Sequence, residues 1–431
     1  MMQESRKYAA FLCYYEKMKG AVSMKKFALY LAALMLLLSA CTPAPIAPVT
    51  ENTDIRTRLV LATDFASTEL KAVVTNFNAN NPDYRVSIVS YGTPDAPFER
   101  LLTEIIAGQG PDILAFSHSA SLSMANDNIF EDLLPYLDAD PEYSRETIIP
   151  SLFNASITDG KLSHLVYDFL IWTFVADERI VGERTSITME EAKEFAAGMG
   201  EDVPVFPAWM DKEIVLGYIV HFSIHNYIDT TNNTCNFDNP DFIALLEAPA
   251  SHIGIPPEEL RYGDKGLLGN CPLQTLEQLQ NLQNIYGTEY AFVGFPSSNA
   301  CGSTIMVYTR FAISALSEKK DAAWLFLRST LSAESQAESV YFTSTQAEID
   351  RRLAVALEGD PITQLKIEPE EAEKFLTLLN SVTVVEGGAT QVIIDIIRTE
   401  AQSLFAGEKT AEEVAQIIQS RVSLVLSERG S

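Results

Sequence analysis

From Arg58 onward the chain alternates between two hydrophobic rhythms. Arg58-Leu59-Val60-Leu61-Ala62-Thr63 is an apolar run of strand length. Ser67 or Thr68 then offers a helix cap, and Leu70, Val73, Val74 and Phe77 fall at i, i+3, i+4 and i+7, one stripe of an amphipathic helix. The polar stretch 78–82, ending in Pro82, stops it. A second strand is predicted from Val86 to Tyr91, then a helix turning Phe98, Leu101, Leu102, Ile105 and Ile106 inward. The breakers Gly108, Gly110 and Pro111 follow, and a strand from Asp112 to Ser117. The order βαβαβ predicts a parallel sheet covered on both faces, an α/β fold.

Later segments read as more helical. Thr188-Met189-Glu190-Glu191 is a capping box opening a helix that Gly198 closes. Pro240 suits the first turn of a helix through Phe242, Leu245 and Leu246, with Pro249 beyond its end. Leu276, Leu279, Leu282 and Ile285 form another stripe, ended by Gly287. Ile313 to Leu316 begins a strand-then-helix unit through Trp324 and Leu327, where Trp324 belongs to the core. Two closing helices run from Val392 to Phe405 and from a capping box at Thr410 and Glu413 to Leu426. No internal repeat stands out.

The N-terminal pattern is of another kind. After Met24 come Lys25 and Lys26, twelve apolar residues at 27–38, then Leu38-Ser39-Ala40-Cys41. Twelve residues fall short of the roughly 20 a spanning helix needs, and the charged start and small residues before the cut fit an export signal. The segment resembles the lipobox of bacterial lipoproteins, which implies removal of residues 1–40 and an acyl chain such as palmitate on Cys41; residues 1–23 carry no pattern of their own, so translation is expected to start at Met24, or else they form a long n-region lost with the signal. Residues 41–57, with Pro43, Pro45 and Pro48, read as an extended tether. A single acyl chain binds membranes weakly, so durable anchoring implies more than one.

Charge and thiols narrow the field. The formal charge is −27, and because residues 1–40 hold six Lys/Arg against two Glu, the remainder carries −31. A body so acidic lacks the basic face that nucleic acid requires. The 391 residues from 41 to 431 are enough for two lobes. Cys235, Cys271 and Cys301 remain after the signal, with any pairing open. His221 and His225 share i,i+4 spacing, but without the glutamate of H-E-x-x-H or a third ligand they read as packing residues. No pattern calls for a metal or cofactor, and no Gly-x-Ser-x-Gly elbow or phosphate loop occurs.

Several segments together resemble the family 1 extracellular solute-binding proteins of ABC importers, the group that includes maltose-type binding proteins. They are Phe77-Asn78-Ala79-Asn80-Asn81-Pro82-Asp83-Tyr84, Gly110-Pro111-Asp112-Ile113-Leu114, Asp132-Leu133-Leu134-Pro135-Tyr136-Leu137-Asp138, Asp159-Gly160-Lys161-Leu162, Cys235-Asn236-Phe237-Asp238, Val293-Gly294-Phe295-Pro296 and Asp321-Ala322-Ala323-Trp324-Leu325-Phe326-Leu327. Their order and spacing carry the resemblance. It implies a two-lobed periplasmic-binding-protein-like fold of type II, with lobes at 58–166 plus 290–340 and 167–289 plus 341–431. Crossovers are expected near Tyr167 to Phe169 and Tyr341 to Thr343, closing on a solute by hinge motion. It further implies a monomer docking on permease subunits outside the cell membrane. Where many relatives read Tyr-Gly-Leu-Pro, this chain has Ser163-His164-Leu165-Val166.

Ligands of open parallel sheets bind beyond the carboxyl ends of the strands, and sugars call for aromatic platforms beside short polar groups. The candidate solute-binding residues are therefore Asp64, Tyr91, Phe116, Ser117 and His118 at strand ends of the first lobe, faced by Tyr167, Trp172, Trp209 and Tyr218. Asp112 reads as a strand-start cap. Capture of a sugar for import is the expected function, with no catalytic residue. The alternatives are a sensory or adhesive lipoprotein on the same scaffold, or a glycan-processing enzyme, which needs carboxylates about 5 to 10 Å apart.

Overall fold

The computed structural model describes residues 55–429 except 92–97, 117–128, 159, 201–202, 230–231, 253–265, 298–301 and 383–390. Ser117, His118, Cys301, Cys41 and the whole signal and tether lie outside the described residues.

Ten strands are described: β1 Thr57–Thr63, β2 Tyr84–Ser90, β3 Ile113–Phe116, β4 Leu165–Asp177, β5 Ile228–Asp229, β6 Thr234–Cys235, β7 Gly269–Leu273, β8 Tyr290–Phe292, β9 Thr304–Ile313 and β10 Phe342–Thr343. Eight form one sheet in the order β10-β4-β9-β3-β1-β2, with β7 and β8 also pairing with β4; β5 and β6 pair apart. The predicted βαβαβ start is present. β1 pairs parallel with β2 and β3, and the helix Thr68–Asn80 between them is capped by Ser67 Oγ, which accepts from Leu70 N–H. The rest departs from a parallel sheet, because β9 runs antiparallel to both β3 and β4. The two segments expected to carry crossovers lie side by side, Phe342 opposite Phe169 and Thr343 opposite Asp168.

Asp112 does the capping work its position suggests. Its Oδ2 accepts from Val60 N–H at 2.9 Å and its Oδ1 from Ser317 Oγ at 2.8 Å, tying β1 to the loop after β9. The capping boxes at Thr188/Glu191 and Thr410/Glu413 form. Other expectations are corrected. Ile106 and Ile285, the last apolar residues of their stripes, are 75% and 60% exposed because their helices end there at the surface. Pro249 lies inside its helix, which runs from Pro240 to Ser251. The strand placed at Ile313 is instead the end of β9, which begins at Thr304. Cys235 and Cys271 are free thiols. Cys271 packs in one apolar cluster and Cys235 against another, so the pair does not bridge.

The apolar residues sort into three clusters. The first packs one face of the sheet, with Leu59, Leu61, Ile113, Phe169, Ile171, Val307 and Phe311, against helices that include Lys320–Ser329, Gln346–Glu358 and Pro369–Ser381. The second joins Phe174, Ala176, Ala291 and Val293 to the helices Lys212–Ser223, Pro240–Ser251, Gln391–Phe405 and Ala411–Arg429. The third holds Ala62, Tyr91, Leu101, Ile105, Leu114, Phe116, Ile129 and Ala312. Because side chains alternate along a strand, β4 feeds both large cores: Phe169, Ile171 and Val175 enter the first, Phe174 and Ala176 the second.

Candidate functional site

The sheet face opposite the first core is covered at its two ends by different clusters. At one end Ala312 of β9 and Phe116 of β3 belong to the third cluster; at the other Trp172 of β4, opposite Thr304, packs against the second. Counting back from Ala312 by the two-residue period of a strand, Arg310, Tyr308 and Met306 lie on this same face between the covered ends. Met306 sits opposite Leu170. Neither Met306, Tyr308 nor Leu170 belongs to any cluster, and Met306 and Tyr308 are partly exposed. The Tyr308 ring stacks on Tyr341 with centroids 4.3 Å apart and planes 28° from parallel. Burial, with Tyr341 and Asp168 adding, pushes the Tyr308 hydroxyl up to about 12, so it stays a neutral donor.

Two predicted residues border this strip at its far end. Trp172 meets Tyr218 edge to face at 5.1 Å and Phe222 at 6.0 Å, and its indole donates to Asn270 Oδ1 at 3.2 Å. Burial pushes the Tyr218 hydroxyl up, while bonds to Trp172 and Asn270 pull it down. At the near end Phe116 is buried, stacked on Phe130 at 5.5 Å and edge-on to His164 at 6.2 Å. His164 Nδ1 lies 3.0 Å from Ser163 Oγ. Burial first, then the Arg310 charge, pushes that imidazole down to about 3, so it is neutral.

The other predicted residues fall elsewhere. Asp64 is half-buried just past β1, and beside it Phe65 is 71% exposed. The loop there is fixed, since Phe65 N–H donates to Thr63 Oγ1 and the Thr63 hydroxyl to Phe65 O, each at 3.1 Å. Tyr91 is buried and donates to Glu104 Oε2 at 2.6 Å; burial and that partner push its hydroxyl up to about 12. Tyr167 is buried in the first core and donates to Ser335 O at 2.5 Å. Trp209 is 47% exposed in the loop before the helix Lys212–Ser223, where His252 Nε2 donates to Met210 O at 3.0 Å. The strip thus gathers Phe116, Trp172 and Tyr218, and adds Met306, Tyr308, Tyr341 and Asn270, which sequence reasoning missed. Among the described residues no three His, Cys, Asp or Glu side chains cluster as metal ligands.

Residues 72–347 match the model of the bacterial extracellular solute-binding proteins. The chain belongs to that family. No curated protein matches this solute-binding protein. Among solved structures it is similar to the sugar-binding protein MalE of Xanthomonas citri, at 16% identity and TM-score 0.59 over 86% of this chain and 98% of the other. It is similar also to an ABC substrate-binding protein of Listeria monocytogenes in complex with cycloalternan, at 15% and 0.56 over 86% and 99%. A third is the cyclic alpha-maltosyl-1,6-maltose binding protein of Arthrobacter globiformis, at 14% and 0.55 over 86% and 100%. At such identities the likeness establishes the fold. This solute-binding protein has the two-lobed α/β fold of that group, as its sequence segments implied.

Proposed function

We propose that this protein captures a carbohydrate between its two lobes and passes it to the membrane subunits of an ABC importer, held at the membrane by lipid on Cys41. The observation that carries the reading is the strip between the second and third clusters: a partly exposed floor of Met306 and Tyr308, walled by Trp172 and Tyr218 at one end and Phe116 at the other. Flat aromatic rings beside hydrogen-bonding groups suit the apolar faces and hydroxyl edges of a sugar. The sugar-binding names and ligands of the similar structures favour the same class of solute. We assign the lobes to the two large cores, with β4 among the segments joining them. Exposed Phe65 and Trp209 serve as rim contacts, Asp64, Ser117 and His118 as polar contacts from the strand-end loops. An acylated Cys41 keeps the captured solute near its importer, where a freely diffusing binder would carry it away.

A thermal-shift screen against linear and cyclic oligosaccharides, monosaccharides, peptides and polyamines tests this. A sugar at a hundred times its Kd adds about 2.7 kcal/mol to stability and raises the melting point. A peptide or polyamine that does so while no sugar does would overturn the carbohydrate assignment, and release of product from an oligosaccharide would overturn the capture role. Cys41→Ser moves the protein from the membrane fraction to the medium or periplasm if the anchor is correct.

A further inference from the structure

Arg352 grips the stretch of chain between the helix Ala333–Ala337 and β10. It lies on the helix Gln346–Glu358 with its side chain 16% exposed, and all three guanidinium nitrogens donate within the protein. Nη1 donates to Tyr341 O at 2.6 Å, and Nη2 to Ser339 O at 2.8 Å and Gln336 O at 3.2 Å. Nε donates to Glu348 Oε1 at 2.7 Å, one helical turn back. Glu348 is itself buried and held in a two-pronged bond by Arg351, whose Nε and Nη2 each donate at 2.7 Å. A fixed carboxylate thus aims the Arg352 fork.

The three carbonyl oxygens lie in the last turn of a short helix and in the irregular residues after it, where backbone groups lack ladder partners and need others. A guanidinium presents five N–H groups in one rigid plane, so a single side chain fixes several acceptors in one geometry. What the grip orients is Tyr341. Its carbonyl is in the fork, its N–H donates to Ser339 Oγ at 3.1 Å, and its ring stacks on Tyr308 with centroids 4.3 Å apart. Phe342, the next residue, packs in the first core and anchors the chain beyond the stack. Arg352 sets it on the near side.

We propose that Arg352 is a positioning residue of the solute site, holding Tyr341 where it braces the Tyr308 ring as the floor of the strip. The role rests on the strip being that site. Arg352 acts through the two tyrosines, since its own nitrogens face carbonyls and Glu348. A floor ring braced before the solute arrives loses less freedom on binding, which leaves more of the contact to show as affinity.

Two measurements on the full chain test this. Arg352→Met keeps most of the apolar stem and removes every donor, while Glu348 stays paired with Arg351. In protein labelled with 3-fluorotyrosine and free of solute, the Tyr308 and Tyr341 fluorine signals, assigned through Tyr308→Phe and Tyr341→Phe, should shift in Arg352→Met, while that of Tyr227 in the second core does not. Calorimetry with maltotriose, or with the panel sugar that raises the melting point furthest, should show about fivefold weaker binding in Arg352→Met. The same change added to Tyr308→Ala should weaken binding no further, because the ring it positions is gone. Arg352→Lys keeps the charge beside Glu348 but lacks the fork; it should show the same pattern to a lesser degree and carries the test if the Met variant misfolds. Unmoved Tyr308 and Tyr341 signals, wild-type affinity in the Arg352 variants, or an equal loss with and without Tyr308 overturns the role of Arg352 alone. Wild-type affinity in Tyr308→Ala by itself overturns the strip as the solute site, and this role with it.

Discussion

Trp172 on β4 and Tyr218 on the helix Lys212–Ser223 meet edge to face, ring centroids 5.1 Å apart and planes at 73°. Forty-six positions separate them, yet the contact joins the sheet to the helical second core at the edge of the candidate site. Trp172→Ala removes this contact, the 3.2 Å bond to Asn270 and the packing on Phe222. The loss expected is about 3 kcal/mol, typical of a large ring removed from a packed site, read from the urea midpoint. Trp172 and Trp209 are the two tryptophans on the second-core side; Trp324 lies in the first core, so a fluorescence change on adding sugar should shrink in this variant.

Tyr308 distinguishes a solute contact from a packing residue. It is partly exposed and outside all three clusters, so Tyr308→Ala should leave the melting point of the free protein within a few degrees. If the strip is the floor of the solute site, the same change weakens binding of a sugar identified by thermal shift by about tenfold or more, as calorimetry would show; losing one well-placed ring contact at about 1.4 kcal/mol gives that factor. Wild-type affinity would remove the strip from the site.

Asp140 gives the fold a stability that depends on acid. Its side chain is 2% exposed and takes Arg328 in a two-pronged bond, Nε at 2.6 Å and Nη2 at 3.1 Å, together with the Trp324 indole at 3.0 Å. Burial pushes the carboxyl up, but these donors and the backbone N–H groups of Glu142 and Tyr143 outweigh it and hold it at about 2. A carboxyl held low contributes stability above its ordinary value near 4, and loses it as pH falls towards 2. Asp140→Asn leaves Arg328 only the exposed Glu142 carboxylate, which accepts from its Nη2 at 2.9 Å, and should cost about 2 kcal/mol at pH 7, the gap to wild type narrowing below pH 4 in urea titrations. Equal stability at pH 7 would show the pair to be idle.

The start of the fold was readable because its cues are local. Ser67, Leu70, Val73, Val74 and Phe77 lie within one helix, and their spacing alone gives cap and buried face. The rule that ligands sit beyond parallel strand ends pointed to the loops after β1, β2 and β3, and Phe116 does border the strip. β4 and β9 were harder. Both are buried on both faces for much of their length, so neither shows the alternation that marks a half-exposed strand. Tyr308 and Tyr341 stack only because β9 and the approach to β10 both flank β4, a relation set by strand order and invisible in spacing. Tyr91 at a strand end and Tyr167 facing it are both aromatic, yet each hydroxyl is bound within the protein, to Glu104 and Ser335.

Gly294, in the Val293-Gly294-Phe295-Pro296 segment, combines two constraints that substitution can separate. Its φ is +62°, a left-handed value that favours glycine, and a Cβ there would lie 2.1 Å from the carbonyl carbon of Gly302. That close approach sets the bridge in which Phe295 N–H donates to Gly302 O at 3.0 Å, and Phe295 in turn stacks on Phe222 at 5.4 Å and Phe206 at 5.7 Å. Gly407 is the natural control. It too is left-handed, at +72°, closing the helix Gln391–Phe405 with Gly407 N–H on Leu404 O and Glu408 N–H on Ser403 O, but nothing lies within 4 Å of its missing Cβ. Gly407→Ala should therefore cost only the conformational share, about 1 kcal/mol. Gly294→Ala must also push apart two backbones beneath three stacked rings, and should cost about 3 kcal/mol or more. Urea midpoints of the two variants decide between them: equal losses would mean that the backbones yield freely and that only the left-handed turn matters.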